Sequence, residues 1–150
     1  MNLKKSVTPC ITIGDQPTEQ DLLDCKYEGY AGVVDLRLDS EPELLLSTKA
    51  EGDRARAVGL EYLHFGVGER PLVDPAVNEV CGFIERLTAD GSKVLVHCRK
   101  GGRAMALVLI QQARAQGWTT GEAIARGRAM GLVVEGPLQA LVESYLSGRS

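Results

Sequence analysis

The sequence contains few aromatic residues and no long apolar run. Phe, Trp and Tyr together make up 5% of the 150 residues. This scarcity argues against the rows of aromatic side chains on which single-stranded nucleic acids stack. A membrane-spanning helix requires roughly 20 consecutive apolar residues, and the uninterrupted apolar runs here are far shorter. We therefore expect an aliphatic core, no membrane span and no nucleic-acid partner.

Basic residues are also outnumbered by acidic ones. The chain has 17 Lys and Arg against 20 Asp and Glu, which gives a net charge of −3. This balance argues against an extended basic face of the kind that binds nucleic acids or anionic membranes. An anionic ligand would therefore need a local group of positive charges.

The cysteines lack the spacing of a metal site. Four cysteines occur, at positions 10, 25, 81 and 98, and none belongs to a Cys-x-x-Cys pair. This pattern supports neither a zinc ribbon nor a thioredoxin-type motif. The first residues also lack the apolar core of a secretory signal. We expect a cytoplasmic protein with reduced thiols, without a metal ion or another cofactor.

Segments with the pattern of buried strands alternate with helical segments. Strands are predicted at residues 10–13, 32–37, 60–67 and 93–97, and helices at 18–29, 43–58, 75–87, 103–116, 119–130 and 138–146. This alternation predicts a three-layer α/β fold, in which a central, mostly parallel sheet of four or five strands is flanked by helices. The length predicts a single domain over positions 1–150. Ligands of such sheets bind at the carboxyl ends of the strands.

The segment after the last predicted strand carries the strongest chemical pattern. It reads His97-Cys98-Arg99-Lys100-Gly101-Gly102-Arg103 and leads directly into a helix. The two adjacent glycines allow successive backbone N–H groups to point inward, and the helix dipole adds to this positive field. Arg103 has the planar fork that binds two oxygens of a tetrahedral anion, while Arg99 and Lys100 supply local positive charge. The loop is therefore predicted to bind an anion around the Cys98 sulfur and to favour its thiolate form.

Several motifs that occur in order resemble one protein family. They are Ile13-Gly14-Asp15-Gln16-Pro17-Thr18, Gly32-Val33-Val34-Asp35-Leu36-Arg37, Gly59-Leu60-Glu61-Tyr62-Leu63-His64 and the cysteine loop. Together they resemble the compact bacterial phosphatase-like domain that is also found fused to β-lactamase-like hydrolases. That family is similar to dual-specificity and protein tyrosine phosphatases, and the resemblance extends from about position 7 to the last helix.

The resemblance implies roles for the residues of the loop. Cys98 would attack a phosphomonoester carried by a small molecule, a lipid or a protein, and Arg103 would hold the phosphoryl oxygens. His97, Arg99, Lys100, Gly101 and Gly102 would form the rest of the substrate-binding site, with His97 orienting the loop through hydrogen bonds.

The resemblance also implies a general acid on the loop after the third predicted strand. The candidates are Glu69 and Asp74, which lie 29 and 24 residues before Cys98. Asp74 precedes Pro75, where it can instead cap the next helix. Arg37 ends a strand together with Asp35, so it is predicted to line the substrate site or, alternatively, to form a structural ion pair.

Two features of the loop differ from those of most protein tyrosine phosphatases. The spacing Cys-x4-Arg is one residue shorter than their usual Cys-x5-Arg, and Ala104 stands where Ser or Thr commonly helps the thiolate to leave. A rhodanese-type sulfurtransferase that carries a persulfide on Cys98 is therefore one alternative, since the six-residue loop also fits that class. A non-catalytic anion-binding module is the other.

Overall fold

The computed structural model describes residues 1–68 and 71–148. In this part of the chain, a central five-stranded sheet has the order β1-β2-β5-β3-β4. The strands are β1 (Lys4–Ser6), β2 (Ile11–Gly14), β3 (Tyr30–Asp35), β4 (Glu61–His64) and β5 (Lys93–His97). Strands β2 to β5 run parallel to one another, whereas β1 pairs with β2 in the antiparallel direction. The predicted three-layer α/β fold is confirmed.

Helices cover both faces of the sheet. They are α1 (Glu19–Tyr27), α2 (Thr48–Ala57), α3 (Asp74–Thr88), α4 (Gly102–Gln116), α5 (Thr120–Ala129) and α6 (Gly136–Ser147). Helices α1 and α2 pack on one face around a small apolar cluster, and α3 and α4 pack on the other face around a larger one. Helices α5 and α6 pack against α4. Of the described helices, none is both long enough and apolar enough to span a membrane.

The strand register brings four chain segments to one edge of the sheet. Residue Gly14 at the end of β2 pairs with His97, and His97 pairs with Asp35, which in turn pairs with His64. The segments that follow these four strand ends therefore begin side by side. This alignment places the cysteine loop next to the loops that follow β3 and β4.

Several elements differ from those predicted from the sequence. The strand predicted over residues 60–67 is the shorter β4, which ends at His64. The helix predicted over residues 43–58 begins only at Thr48, because the Ser47 side chain accepts a hydrogen bond from Ala50 N–H and caps it there. Glu43 has a left-handed φ of 60°, which a regular helix does not accommodate. Strand β1 was not predicted, since its short polar sequence Lys4-Lys5-Ser6 has no apolar alternation.

Gly32 offers a test of how tightly β3 packs against α3. A Cβ atom at this position would lie 2.5 Å from Leu87 Cδ1 and 3.1 Å from the Glu61 carbonyl oxygen. We expect Gly32→Ala to lower the free energy of unfolding by about 1–3 kcal/mol, because the added methyl group overfills the core. Urea unfolding followed by circular dichroism measures the change.

Gly82 provides the matched control for this substitution. It lies within α3 and is exposed, and a Cβ atom added there would meet no atom within 4 Å outside its own stretch of helix. Gly82→Ala is therefore expected to raise the free energy of unfolding by up to about 1 kcal/mol through helix propensity. Equal effects of the two substitutions would contradict the packing described for Gly32.

Candidate active site

Cys98 lies directly after β5, in the middle of the aligned strand ends. Its side chain is buried, and its backbone N–H donates to the Gly14 carbonyl oxygen at 3.4 Å. The backbone N–H of Gly101 points at Cys98 Sγ at 3.0 Å. Gly101 has a left-handed φ of 105° and is the N-cap residue of α4. A side chain there would also collide with Leu3, so the backbone curl around the sulfur requires glycine at this position.

The Arg103 side chain extends from the first turn of α4 to the neighbouring strand ends. Its Nη1 donates to the carbonyl oxygens of Leu36 at 3.3 Å and Val67 at 3.1 Å. Both of its terminal nitrogens also pair with the Glu41 carboxylate. The hydrogen bond to Glu41 raises the pKa of Arg103 and outweighs burial, with a further contribution from the charge of nearby Cys98. These contacts fix the guanidinium beside the thiol.

The remaining loop residues line a cleft over the sulfur. The cleft has a volume of about 320 Å³, and its lining residues are Cys98, Arg99, Lys100, Gly102, Arg103 and Leu138. Arg99 Nη1 lies 3.7 Å from an oxygen of the exposed Glu43 carboxylate, and Lys100 is exposed. The structure thus brings Cys98, the predicted nucleophile, together with Arg103, the predicted anion-binding residue. Arg99 and Lys100, which were predicted to supply local positive charge, line the same cleft.

His97 lies behind the loop and is completely buried. Its Nδ1 is 3.2 Å from the Cys98 carbonyl oxygen, and its Nε2 is 2.5 Å from Glu51 Oε2. The ring therefore connects the loop backbone to α2. This position fits a role in orienting the loop, and it corrects the assignment of His97 to the substrate-contacting surface.

Arg37 is also placed differently from the prediction that it lines the substrate site. Its side chain is completely buried, and it forms a double hydrogen bond with Asp35, at 2.9 Å from Nε and 2.8 Å from Nη2. The same Nη2 donates to Glu51 Oε1 at 3.1 Å, and Nη1 donates to Gln16 Oε1 and the Leu46 carbonyl oxygen, both at 2.8 Å. Arg37 therefore forms the structural ion pair given as the alternative, because protein acceptors bind its guanidinium from every side.

Asp35, Arg37, Glu51 and His97 form one buried ion network, which Tyr62 joins through a hydroxyl group 2.7 Å from Asp35 Oδ2. Burial alone would raise the pKa of Asp35, but the hydrogen bond from Arg37 and the charge of His97 lower it below its ordinary value. The guanidinium of Arg37 bridges the two carboxylates.

Of the two predicted general acids, the structure describes only Asp74, because Glu69 lies outside the described residues. Asp74 is the first residue of α3, whereas the N-cap position belongs to Val73, so the predicted capping role is wrong. Asp74 Oδ1 accepts a hydrogen bond from Tyr145 OH at 2.7 Å, and both residues line a cleft other than the one over Cys98. The lining of the cleft over Cys98 does not include Asp74.

Sequence reasoning missed acidic residues that contact the loop, among them Glu41 and Glu51. Glu41 lies in the segment after β3 and pairs with Arg103, while Glu51 is on α2 and contacts His97. The helical period offered a signal for Glu51, since Thr48, Glu51 and Ala55 are buried and recur at spacings of three and four residues. Glu41 offered no comparable pattern, because its position depends on the course of an irregular loop.

The cysteine directly after the middle strand, followed by a glycine-containing loop at the N-terminus of α4, is the arrangement of a phosphatase-like α/β domain. Residues 3–115 match the family described as "Beta-lactamase hydrolase-like protein, phosphatase-like domain". The chain belongs to this family, which confirms the family predicted from the sequence.

Curated relatives in this family are longer proteins. The chain is 27% identical over 104 residues to the beta-lactamase hydrolase-like protein of Xylella fastidiosa strain Temecula1, which covers 68% of this chain and 23% of the relative. It is 26% identical over 105 residues to the Agrobacterium fabrum protein of the same name, covering 69% and 23%. The match thus spans about a quarter of the length of these relatives.

Solved phosphatase structures share the fold. Tk-PTP in its active form is 24% identical, with a TM-score of 0.75 over 98% of this chain and 97% of its own. PTPMT1 is 16% identical, with a TM-score of 0.76 over 97% and 94%. TpbA of P. aeruginosa, solved in complex with pTyr, is 16% identical, with a TM-score of 0.67 over 94% and 80%.

Loss of Arg37 tests the importance of the buried ion network. We expect Arg37→Met to lower the free energy of unfolding by about 3–5 kcal/mol, because it leaves two buried carboxylates without their shared cation. Urea unfolding measures the loss. Arg54→Met is the control, since Arg54 forms an exposed pair with Glu19 and should leave stability nearly unchanged. Similar losses in both variants would contradict a special role of Arg37.

Proposed function

We propose that this chain is a cysteine-dependent phosphatase that hydrolyses a phosphomonoester through a phosphocysteine intermediate. The observation that carries the proposal is the convergence of donors on Cys98 Sγ. The Gly101 N–H is directed at the sulfur at 3.0 Å, and Arg103 is fixed beside it by Glu41. Such an arrangement favours the thiolate and suits a tetrahedral anion placed against it.

The reaction then proceeds in two displacements at phosphorus. The Cys98 thiolate attacks, so that an S–P bond forms while the P–O ester bond breaks, and the leaving oxygen takes a proton from a general acid. Arg103 and the loop N–H groups bind the three non-bridging oxygens. Water next attacks phosphorus and gives a proton to the deprotonated acid. The S–P bond breaks, which releases phosphate and restores the thiolate.

Ala104 suggests which of these steps is slower. It follows Arg103, is completely buried, and carries no hydroxyl group that could donate to the departing thiolate. The second displacement therefore lacks one source of stabilisation available to phosphatases with Ser or Thr at that position. We propose that hydrolysis of the phosphocysteine limits turnover.

The cleft over Cys98 and two structural neighbours support a proposal for the substrate class. PTPMT1 has been solved with the phosphoinositide PI(5)P, and TpbA with pTyr. In this chain the residues that line the cleft over Cys98 include the two cationic residues Arg99 and Lys100 and the apolar residue Leu138. We propose a phosphorylated alcohol or phenol of a small molecule, lipid or protein, and parallel assays of a phosphotyrosine peptide and a phosphoinositide distinguish these sources.

Replacement of the nucleophile tests the proposed function. We expect Cys98→Ser to lower the hydrolysis of p-nitrophenyl phosphate by about 10³-fold or more, since an unactivated hydroxyl replaces a thiolate. Release of p-nitrophenol measures the rate. Cys10→Ser is the control, because Cys10 lies before β2 with its Sγ 3.6 Å from the Gly91 carbonyl oxygen, and this variant should keep the full rate.

Three results would contradict this prediction. Full activity of Cys98→Ser would exclude the thiolate mechanism. Sulfur transfer from thiosulfate to cyanide without phosphate release would favour the sulfurtransferase alternative. Phosphate binding without either reaction would favour the anion-binding module.

A pair of isosteric substitutions tests the general acid. Because Asp74 is bound to Tyr145 in a separate cleft, we propose Glu69 as the acid. Glu69→Gln should lower kcat/KM, which reports the first displacement, by about 10²–10⁴-fold for an alkyl phosphate and by less for p-nitrophenyl phosphate, since nitrophenolate leaves without a proton. Asp74→Asn should keep nearly the full rate with both substrates. The reverse pattern would assign the acid to Asp74.

A further inference from the structure

Glu51 is a buried carboxylate with no assigned role in the reaction. Its side chain is completely buried and points from α2 toward the base of the cysteine loop. Oε2 lies 2.5 Å from His97 Nε2, and Oε1 accepts a hydrogen bond from Arg37 Nη2 at 3.1 Å. Burying a carboxylate costs free energy unless charged partners compensate it, and here the two partners are Arg37 and the ring of His97.

The contacts of His97 bear on its protonation state. Nδ1 faces the Cys98 carbonyl oxygen at 3.2 Å, and a carbonyl oxygen only accepts hydrogen bonds. Nε2 faces Glu51, whose other oxygen accepts a hydrogen bond from Arg37; burial raises the pKa of Glu51, and the charges of His97 and Arg37 oppose that rise. Both ring nitrogens therefore face oxygen atoms, which is the geometry in which a ring protonated at both nitrogens donates two hydrogen bonds.

The surrounding charges agree with this geometry. Burial alone would lower the pKa of His97, but the Glu51 charge and hydrogen bond, together with Asp35 at 3.8 Å, outweigh burial and raise it. Arg37 opposes this rise, and its own charge is balanced by Asp35. The Tyr62 hydroxyl is bound to Asp35, and burial raises the pKa of Tyr62, which keeps it uncharged.

We propose that Glu51 is a positioning residue of the active-site loop. It holds His97 as a cation, and His97 in turn binds the Cys98 carbonyl oxygen and places a positive charge one residue from the thiol. This cation favours the thiolate of Cys98 over the thiol. The inference rests on the proposed function only in taking Cys98 as the nucleophile.

The test compares thiol reactivity in the wild type and in Glu51→Gln, which keeps the shape of the side chain but removes its charge. The rate of Cys98 alkylation by iodoacetamide is measured against pH, with Cys10, Cys25 and Cys81 replaced by Ser or Ala in both proteins. We expect the midpoint of the profile to rise by about one pH unit in Glu51→Gln, because the ring loses its charge. For p-nitrophenyl phosphate near neutral pH, kcat/KM, which reports the attack by Cys98, should fall by up to about tenfold, while kcat, which phosphocysteine hydrolysis limits, should change less.

Tyr62→Phe is the matched control within the same network. It removes the hydroxyl bond to Asp35 but leaves the Glu51–His97 contact in place. We expect it to lower the free energy of unfolding without moving the alkylation midpoint. An equal midpoint in the wild type and Glu51→Gln, or equal shifts in Glu51→Gln and Tyr62→Phe, would overturn the proposal.

If Glu51→Gln does not fold, a measurement on the wild type tests the proposal instead. The chain has two histidines, so ¹⁵N spectra of the wild type and His64→Gln assign the His97 ring. Both nitrogens of His97 should remain protonated above pH 7.5, at least one unit above the ordinary midpoint of about 6.5. A ring that titrates near its ordinary pH would overturn the proposal.

The alkylation and ring-protonation measurements can fail or succeed independently of the proposed phosphatase activity. Alkylation and ring protonation require no phosphate turnover, so both can support the role of Glu51 in a chain that hydrolyses no phosphomonoester. Conversely, phosphate release that depends on Cys98, together with an unmoved alkylation profile in Glu51→Gln, would retain the phosphatase and reject the positioning role.

Discussion

The arrangement of the chain segments at the carboxyl ends of the strands depends on the double hydrogen bond between Arg37 and Asp35. Both side chains are completely buried, and Arg37 also binds Glu51 of α2, Gln16 of the β2–α1 loop and the Leu46 carbonyl oxygen. One guanidinium thus connects the end of β3 to three other chain segments. Because each buried charge needs its partner, these segments are fixed relative to one another, and the base of the cysteine loop is fixed with them.

The balance of charges within this network explains why four buried ionisable side chains are tolerated in the interior of an aliphatic protein. Its charges alternate in sign from Asp35 through Arg37 and Glu51 to His97, so that their sum is zero when the ring is protonated. Hydrogen bonds satisfy the buried polar side-chain atoms in the described residues. The network therefore joins α2 to the loop without leaving a net charge in the interior.

Features that depend on residues close together in the sequence were predicted, whereas contacts between residues far apart in the sequence were not. The Cys98 loop was predicted because its glycines, its arginine and the preceding strand are neighbours in sequence, and the strand–helix alternation determined the order of the layers. Glu41 and Glu51 were missed because they contact the loop from 62 and 46 residues away. The role of Arg37 also depended on distant partners. Local pattern predicts local geometry, whereas these pairings arise only when the sheet register aligns the strand ends.

Arg103 connects the cysteine loop to two other segments of the chain. Its guanidinium donates to the carbonyl oxygens of Leu36 and Val67, just beyond the ends of β3 and β4. In the proposed function, an incoming anion competes with these carbonyl groups and with Glu41 for the same donors. Anion binding would then weaken the contacts that Arg103 makes with Leu36 and Val67, and the exchange rates of the backbone amides at these two residues would report it.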